Sequence, residues 1–388
     1  MEQSAASTSL ESAPHRPIRS TADHSATRVE DMSPFFGEEQ RTSAGPSESY
    51  VRASKHIEGF MDYLDNRANT AAVSSEVYRE DFVKISREEW ARLCFDLSLN
   101  KADESFRYLK WSYNSLTSTL IIHSMSPPSP LHEYFCRLIQ LKLDHAQFRL
   151  PNFNPEDPII HTATNRLYTG FTGEYEGSER VPDLSVSFVG VDGRLELKLV
   201  VEVGFSEKYS DLIEDAKMWL EGGGHEVSNV MLVNIEESPS YRSPLLDLED
   251  EEIEQLGLPG QHRINFDAEG DFGPITYKGL VWVGRITSIF VEVWKKDPQS
   301  GLATLSKNRM DLLPPASPPQ FEFMLSEYTA VSPDNDTSIS FDLGVSPRGL
   351  KRSIVELADI RYHRALNAIK QRTDARDGTY KPKGSPSR

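Results

Sequence analysis

Asp183 and Glu202 are the residues whose types and spacing could do chemistry. Residues 181–190 read VPDLSVSFVG and residues 194–205 read RLELKLVVEVGF. Between them lies Asp192-Gly193, a favoured two-residue hairpin turn. A type I′ turn there sets Val191 opposite Arg194, and the same register sets Asp183 opposite Glu202. Alternation along a strand then sends Leu184, Val186 and Phe188 to one face, together with Leu197, Leu199, Val201, Val203 and Phe205. Asp183, Ser185 and Ser187 take the other face, with Glu196, Lys198 and Glu202. Opposed side chains have Cβ atoms ~4.5–5.5 Å apart, and like charges there are destabilising. The pair therefore needs compensation. A divalent cation such as Mg²⁺ or Mn²⁺ suits hard oxygen ligands. A shared proton or a nearby lysine is the other route, and Lys198 with Glu196 makes a solvated charge cluster the plain alternative.

The elements that must position this pair follow from periodicity. Residues 209–221 read as a helix with Tyr209, Leu212, Ile213, Ala216, Trp219 and Leu220 on its apolar side, ended by Gly222, Gly223 and Gly224. Residues 227–235 read as the next strand, which makes a crossover with parallel strands, expected to be right-handed. Upstream, residues 130–147 read as a helix, with Leu131, Tyr134, Leu138 and Leu141 at steps of three and four. A short strand is expected at 159–162. The order is α-β-β-β-α-β.

That order resembles the core of the PD-(D/E)XK, or restriction-endonuclease-like, superfamily. Pro182-Asp183, followed by Glu202 at the end of an apolar strand, stand where its signature stands. The phrases GSERVPD, VVEVGFSEKYSDLIEDAKMWLE and NVMLVNIE also resemble uncharacterised fungal proteins related to it. The resemblance covers residues 127–315. It implies an α/β (α+β) fold with a mixed central sheet flanked by helices. It also implies a Mg²⁺-dependent nuclease-like protein hydrolysing phosphodiester bonds of DNA or RNA. Asp183 and Glu202 would be metal ligands, joined by the backbone carbonyl of Val203 and by Glu133 from the first helix. The metal would lower the pKa of a bound water and stabilise charge on the phosphodiester.

The chain departs from the signature at one position. The lysine expected two residues after the acid is Gly204. That lysine normally orients the attacking water and offsets developing charge. Lys217, on the crossover helix, ranks first as a substitute and Lys208, just past the strand, second. Lys198 is a distant third, because four residues put it ~13 Å toward the far end of the strand. The alternative is a catalytically degenerate fold that binds nucleic acid or protein. His161 reads as a satisfied or exposed histidine. Tyr175, Arg180 and Tyr209 are able to meet a substrate, though no spacing fixes them.

Composition bounds the partners. The 388 residues carry a formal net charge of -17, which opposes non-specific binding to phosphate polymers. Cys94 and Cys136 read as buried free thiols of a reducing compartment. No apolar run reaches the ~18–20 residues that span a bilayer, so a soluble protein of nucleus or cytoplasm, without membrane contact, is expected. Residues 1–49 read as a disordered tail and 50–126 as a helical N-terminal region. Residues 127–315 form the nuclease-like domain and 316–373 a C-terminal extension with an amphipathic basic helix. Residues 374–388 are a basic disordered tail. A protein partner would meet the N-terminal helical region or the C-terminal helix.

Overall fold

The central sheet of the computed structural model has six strands, which lie side by side in the order 303–313, 285–296, 229–238, 195–205, 184–189 and 160–163. The structure describes residues 45–66, 81–100, 110–123, 128–150, 153–164, 166–190, 192–205, 208–224, 227–260, 264–313, 320–329 and 336–376. Most of the two expected tails lies outside them. The sheet is built from β4 (Ile160–Ala163), β5 (Leu184–Val189), β6 (Leu195–Phe205), β7 (Asn229–Ser238), β11 (Arg285–Lys296) and β12 (Ala303–Leu313). Only β6 and β7 run parallel; the other neighbours are antiparallel. Between those two strands the chain forms α4 (Tyr209–Lys217), which continues as a π-type turn to Gly222. Before them come α3 (Pro130–Gln147) and β4. The chain is thus mixed α/β with helices flanking a mixed sheet, in the expected order of elements.

Both faces of the sheet are covered, so residues 199–204 of β6 and 229–235 of β7 are buried without interruption. On one face Leu184, Val186, Phe188, Val201, Val203, Met231 and Val233 join the α3 residues Leu131, Phe135 and Ile139. The helix α6 (Pro347–Arg376) supplies Leu350, Ile354, Leu357 and Tyr362 to the same cluster. On the other face Val200, Val230 and Leu232 meet Leu212, Ala216 and Trp219 of α4 and its continuation. The start of α3 follows from its sequence: Ser129 caps it by accepting the His132 N–H, and Pro130 stands in its first turn.

The hairpin register is corrected in one respect. The Gly190 N–H donates to the Arg194 carbonyl, and Val189 pairs with Leu195, one residue away from the expected pairing. A register shift between Val186 and Ser187 leaves Lys198 unpaired and restores the expected register from Val186↔Leu199 to Leu184↔Val201. A bulge of this kind reverses side-chain direction on the turn side of it. Leu197 therefore packs with Val200, Leu212 and Trp219, not on the face of Leu199. Val191 lies outside the described residues.

The N-terminal part contains more than helices. Beside α1 (Glu48–Asn66) and α2 (Arg87–Asn100), the strands β1 (Asp81–Lys84), β2 (Lys110–Asn114) and β3 (Thr119–His123) form a small antiparallel sheet. Tyr50, Ile57, Val83, Trp90, Leu93, Tyr113, Leu120 and Ile122 give this module its own core. At the other end, the ribbon of β13 (Gln320–Met324) and β14 (Ser338–Asp342) packs Phe321, Phe323 and Phe341 into the main cluster, as α6 does. The core therefore continues past residue 315. Among the described residues no helix is long and apolar enough to cross a membrane.

Candidate functional site

The restored register brings Asp183 alongside Glu202 at one end of the sheet. Continuing from Leu184↔Val201, Asp183 reaches the level of Glu202, and its Oδ2 accepts the Val203 N–H at 2.8 Å. Its Oδ1 lies 2.9 Å from His132 Nε2, brought over the sheet end by the first turn of α3. Glu202 points to the α4 side and is almost fully enclosed, its side chain 4% exposed. Its Oε1 accepts the Trp219 indole N–H at 2.6 Å and the Arg180 Nε–H at 3.2 Å. The same guanidinium also donates to Asp215 Oδ2 from α4. Asp183 stays 30% exposed and forms the mouth of the cluster.

Arg180 belongs to the stretch that leads into β5, whose placement is set by backbone pairing. Arg180 and Tyr168 exchange both backbone hydrogen bonds. Tyr168 and Phe171 lie against Trp219, with ring centroids 5.4 and 5.1 Å away. The Thr172 N–H donates to the Gly222 carbonyl at 2.7 Å. This strap thus holds both donors to Glu202, Arg180 directly and the Trp219 indole by packing.

Electrostatics divide the carboxylates. Burial pushes Glu202 up to about 8, against the pull of Arg180; the charges of Asp183 and Asp215 add to the rise, and the Trp219 hydrogen bond opposes it. Burial would raise Asp183 as well. There the charge and hydrogen bond of His132, the Val203 N–H and Arg180 together win, and Asp183 is held below the usual carboxylate range. For His132 burial opposes protonation, but the charge and hydrogen bond of Asp183 outweigh it, with help from Cys136, and carry the imidazole to about 11. An imidazolium in the first turn of a helix opposes the helix dipole, so Asp183 is its necessary counter-charge. Formally, three carboxylates meet two cations, and a proton held by Glu202 removes the remaining negative charge.

Cys136 stands one turn after His132 on α3, with Sγ 3.9 Å from Nδ1. Cysteine, histidine and aspartate are thereby in a row, as in nucleophilic catalysis. The thiol is only 3% exposed, and burial raises its pKa. It is a core residue, not an available nucleophile.

The acid pair is already engaged by donors from the protein itself. Mg²⁺ requires near-octahedral oxygen ligation, whereas both oxygens of Asp183 and Oε1 of Glu202 already accept hydrogen bonds. Among the described residues no group of three His, Cys, Asp or Glu side chains is placed to hold a metal ion. Glu133 is 58% exposed, and its Oε1 lies 3.8 Å from His132 Nδ1. Val203 contributes its N–H to Asp183.

The candidate lysines lie apart. Lys217 pairs with Glu214 at 2.6 Å on the surface of α4. Lys208 is exposed at the start of α4. Lys198 pairs with Glu196 at 2.7 Å beside the bulge. At Gly204 a Cβ would come within 2.4 Å of Leu212 Cδ1, so α4 occupies the space a side chain there would need.

Sequence reasoning singled out Asp183 and Glu202 but left Arg180 without a place, and it missed His132, Asp215 and Trp219 as polar partners. One signal was available. Leu212, Asp215 and Trp219 share one helical stripe, so an acid and an indole N–H fall on a face that must be buried. No family model, no curated protein and no solved structure matches this chain.

Proposed function

We propose that this chain is a nuclease-like module of the PD-(D/E)XK kind that keeps the fold and the carboxylate pair but acts by binding, not by hydrolysis. The order α3-β4-β5-β6-α4-β7, with Asp183 and Glu202 at one end of the sheet, supports the kinship. The observation that carries the loss of hydrolysis is the Arg180 guanidinium, which spans Glu202 and Asp215 where an active relative would keep a cation. Gly204 packed on Leu212 and the pairing of Lys217 with Glu214 and of Lys198 with Glu196 agree with it. A fold does not fix a function, and a formal net charge of -17 disfavours a phosphate polymer as the ligand. The partner class is therefore protein, met through the N-terminal module or α6.

A second reading, the Mg²⁺-dependent nuclease, draws support from the exposed edge of Asp183 at the mouth of the cluster. One experiment separates the two. The full chain, Asp183→Ala and Glu202→Ala are incubated with Mg²⁺ and a panel of DNA and RNA substrates, and each is titrated calorimetrically with Mn²⁺. The binding reading expects the three proteins to behave alike, with no cleavage above background and no Mn²⁺ heat that depends on either acid. Mg²⁺-dependent cleavage lost in both variants would replace it with the nuclease reading.

A further inference from the structure

The strap that delivers Arg180 is gripped from outside by the N-terminal module. Tyr113 of β2 and Glu179 exchange both backbone hydrogen bonds, at 2.8 and 2.9 Å. The Trp111 indole N–H donates to Glu179 Oε2 at 2.7 Å. The Ser115 N–H donates to the buried Ser178 Oγ at 2.9 Å, and the two hydroxyls lie 2.9 Å apart. Ser115 Oγ also reaches the Glu174 carbonyl, and Arg87 pairs with Glu176 at 3.0 Å. Glu179, which pairs with the module, is the immediate neighbour of Arg180, which closes the cluster.

Two features make this grip a candidate control point. The module has a core of its own, drawn from residues between Tyr50 and Ile122 and separate from the two clusters that line the main sheet. Its grip on the strap is polar: backbone pairs, hydroxyls, one indole N–H and one exposed ion pair. Polar contacts between separately packed units resemble interfaces that open reversibly, unlike a shared apolar core.

We propose that the N-terminal module regulates the carboxylate cluster. Seated on residues 174–179, it keeps Arg180 across Glu202 and Asp215; drawn away, as by a protein bound to the module, it withdraws that guanidinium and opens the cluster. The inference rests on the reading of the cluster as closed by Arg180. It assigns two states to one strap and two sites that bias it, which is what allosteric coupling requires.

Amide hydrogen exchange in the full chain tests the coupling. Three amides are followed: Arg180, bonded to the Tyr168 carbonyl; Val203, bonded to Asp183; and Gly284, bonded to Glu237 at 2.7 Å in a different buried ion pair. The variant Trp111→Phe/Ser115→Ala removes side-chain grips on the strap. Exchange at Arg180 and Val203 is expected to rise about tenfold, the scale of one or two lost hydrogen bonds, with Gly284 unchanged. Arg87→Ala removes only the exposed ion pair and should give the same pattern at about twofold. Unchanged Arg180 and Val203 amides in both variants would overturn the proposal. So would equal acceleration at all three, which marks a general loss of stability. Exchange reads the coupling alone, whereas Mn²⁺ heats and cleavage read the chemistry of the cluster, so the two ideas can fail separately.

Discussion

Arg361 and Arg180 are both largely enclosed against carboxylates, and the two sites are built on different plans. Arg361 of α6 meets Glu237 of β7 one to one, through a bidentate pair at 2.6 and 2.8 Å. Its guanidinium also donates to the Trp282 carbonyl and lies 4.0 Å from the Tyr241 ring centroid. Glu237 in turn accepts the Gly284 N–H. Each charge there has a dedicated partner, so the site works as a clamp that fixes α6 to the sheet. Arg180 instead divides its donors between Glu202 and Asp215, while Asp183 leans on His132. A buried ion pair alone says little about function. An excess of acids over cations, with Asp183 at the exposed edge, is what distinguishes the second site from the clamp.

The largest effect should therefore come from the clamp. Arg361→Ala leaves Glu237 buried without its partner and should destabilise the fold by about 3–5 kcal/mol, measured by urea unfolding at pH 7. The double variant Arg361→Met/Glu237→Leu should recover most of that loss, because two apolar groups leave no unpaired charge. Equal losses in the single and double variants would mean that packing, not charge pairing, holds α6.

Arg180→Ala should cost less at neutral pH, about 2–3 kcal/mol, because Glu202 can escape by holding a proton. The sign of its pH dependence follows. In the folded protein Glu202 keeps its proton up to about 8, whereas in the unfolded chain it loses it near its ordinary value of 4.5. The native state binds more protons between those limits, so this group lowers stability as pH rises from 4.5 to 8. Glu202→Gln should flatten that fall. The deficit of Arg180→Ala against the parent should widen above pH 8, where the parent carboxylate ionises beside its guanidinium and the variant has none. Parallel unfolding curves for parent and Glu202→Gln across that window would contradict the shifted carboxyl.

The carboxylate pair was legible because one hairpin carries it, and strand alternation is a local rule. It survived an error: the turn is displaced by one residue, and the bulge at Lys198 restores the count before it reaches Glu202. The cations were not legible. His132 arrives from a helix packed across the sheet end, and Arg180 from a strap placed by backbone bridges to Tyr168 and Tyr113. Neither spacing nor periodicity encodes such contacts. Trp219 was counted for its ring, although its N–H decides its role. The strands of the N-terminal module have four or five residues, too short for alternation to stand out. Phe321 and Phe323 alternate toward the core, beyond the bound of 315 that the sequence reading sets for the domain.

Gly204 sharpens the contrast from the packing side. Its added Cβ would meet the terminal carbon of Leu212, a side chain only 1% exposed and held in the cluster with Trp219. Gly204→Ala should therefore destabilise by about 1–2 kcal/mol through overpacking. Gly204→Ala/Leu212→Ala should not add the two single losses, since each change relieves the other. Strict additivity in a double-mutant cycle would show that α4 and β6 are not in the close contact seen here.

The smallest effect is expected at Lys217, the first-ranked substitute for the missing lysine. Its ammonium pairs with Glu214 at 2.6 Å and its side chain is 39% exposed. A surface pair three residues apart on a helix contributes within about 0.5 kcal/mol, so Lys217→Ala should leave stability nearly unchanged. It should also leave the pH dependence assigned to Glu202 in place, because neither the charges nor the hydrogen bonds that shift Glu202 most include Lys217. The measurement is the same unfolding series, run for parent and variant from pH 5 to 9. If Lys217→Ala changed the slope between pH 5 and 8 as strongly as Arg180→Ala changes the stability above it, the ammonium would belong to the cluster. The cluster would then have a third cation, supplied by α4, and the comparison with the one-to-one clamp of Arg361 would have to be redrawn around three cations instead of two.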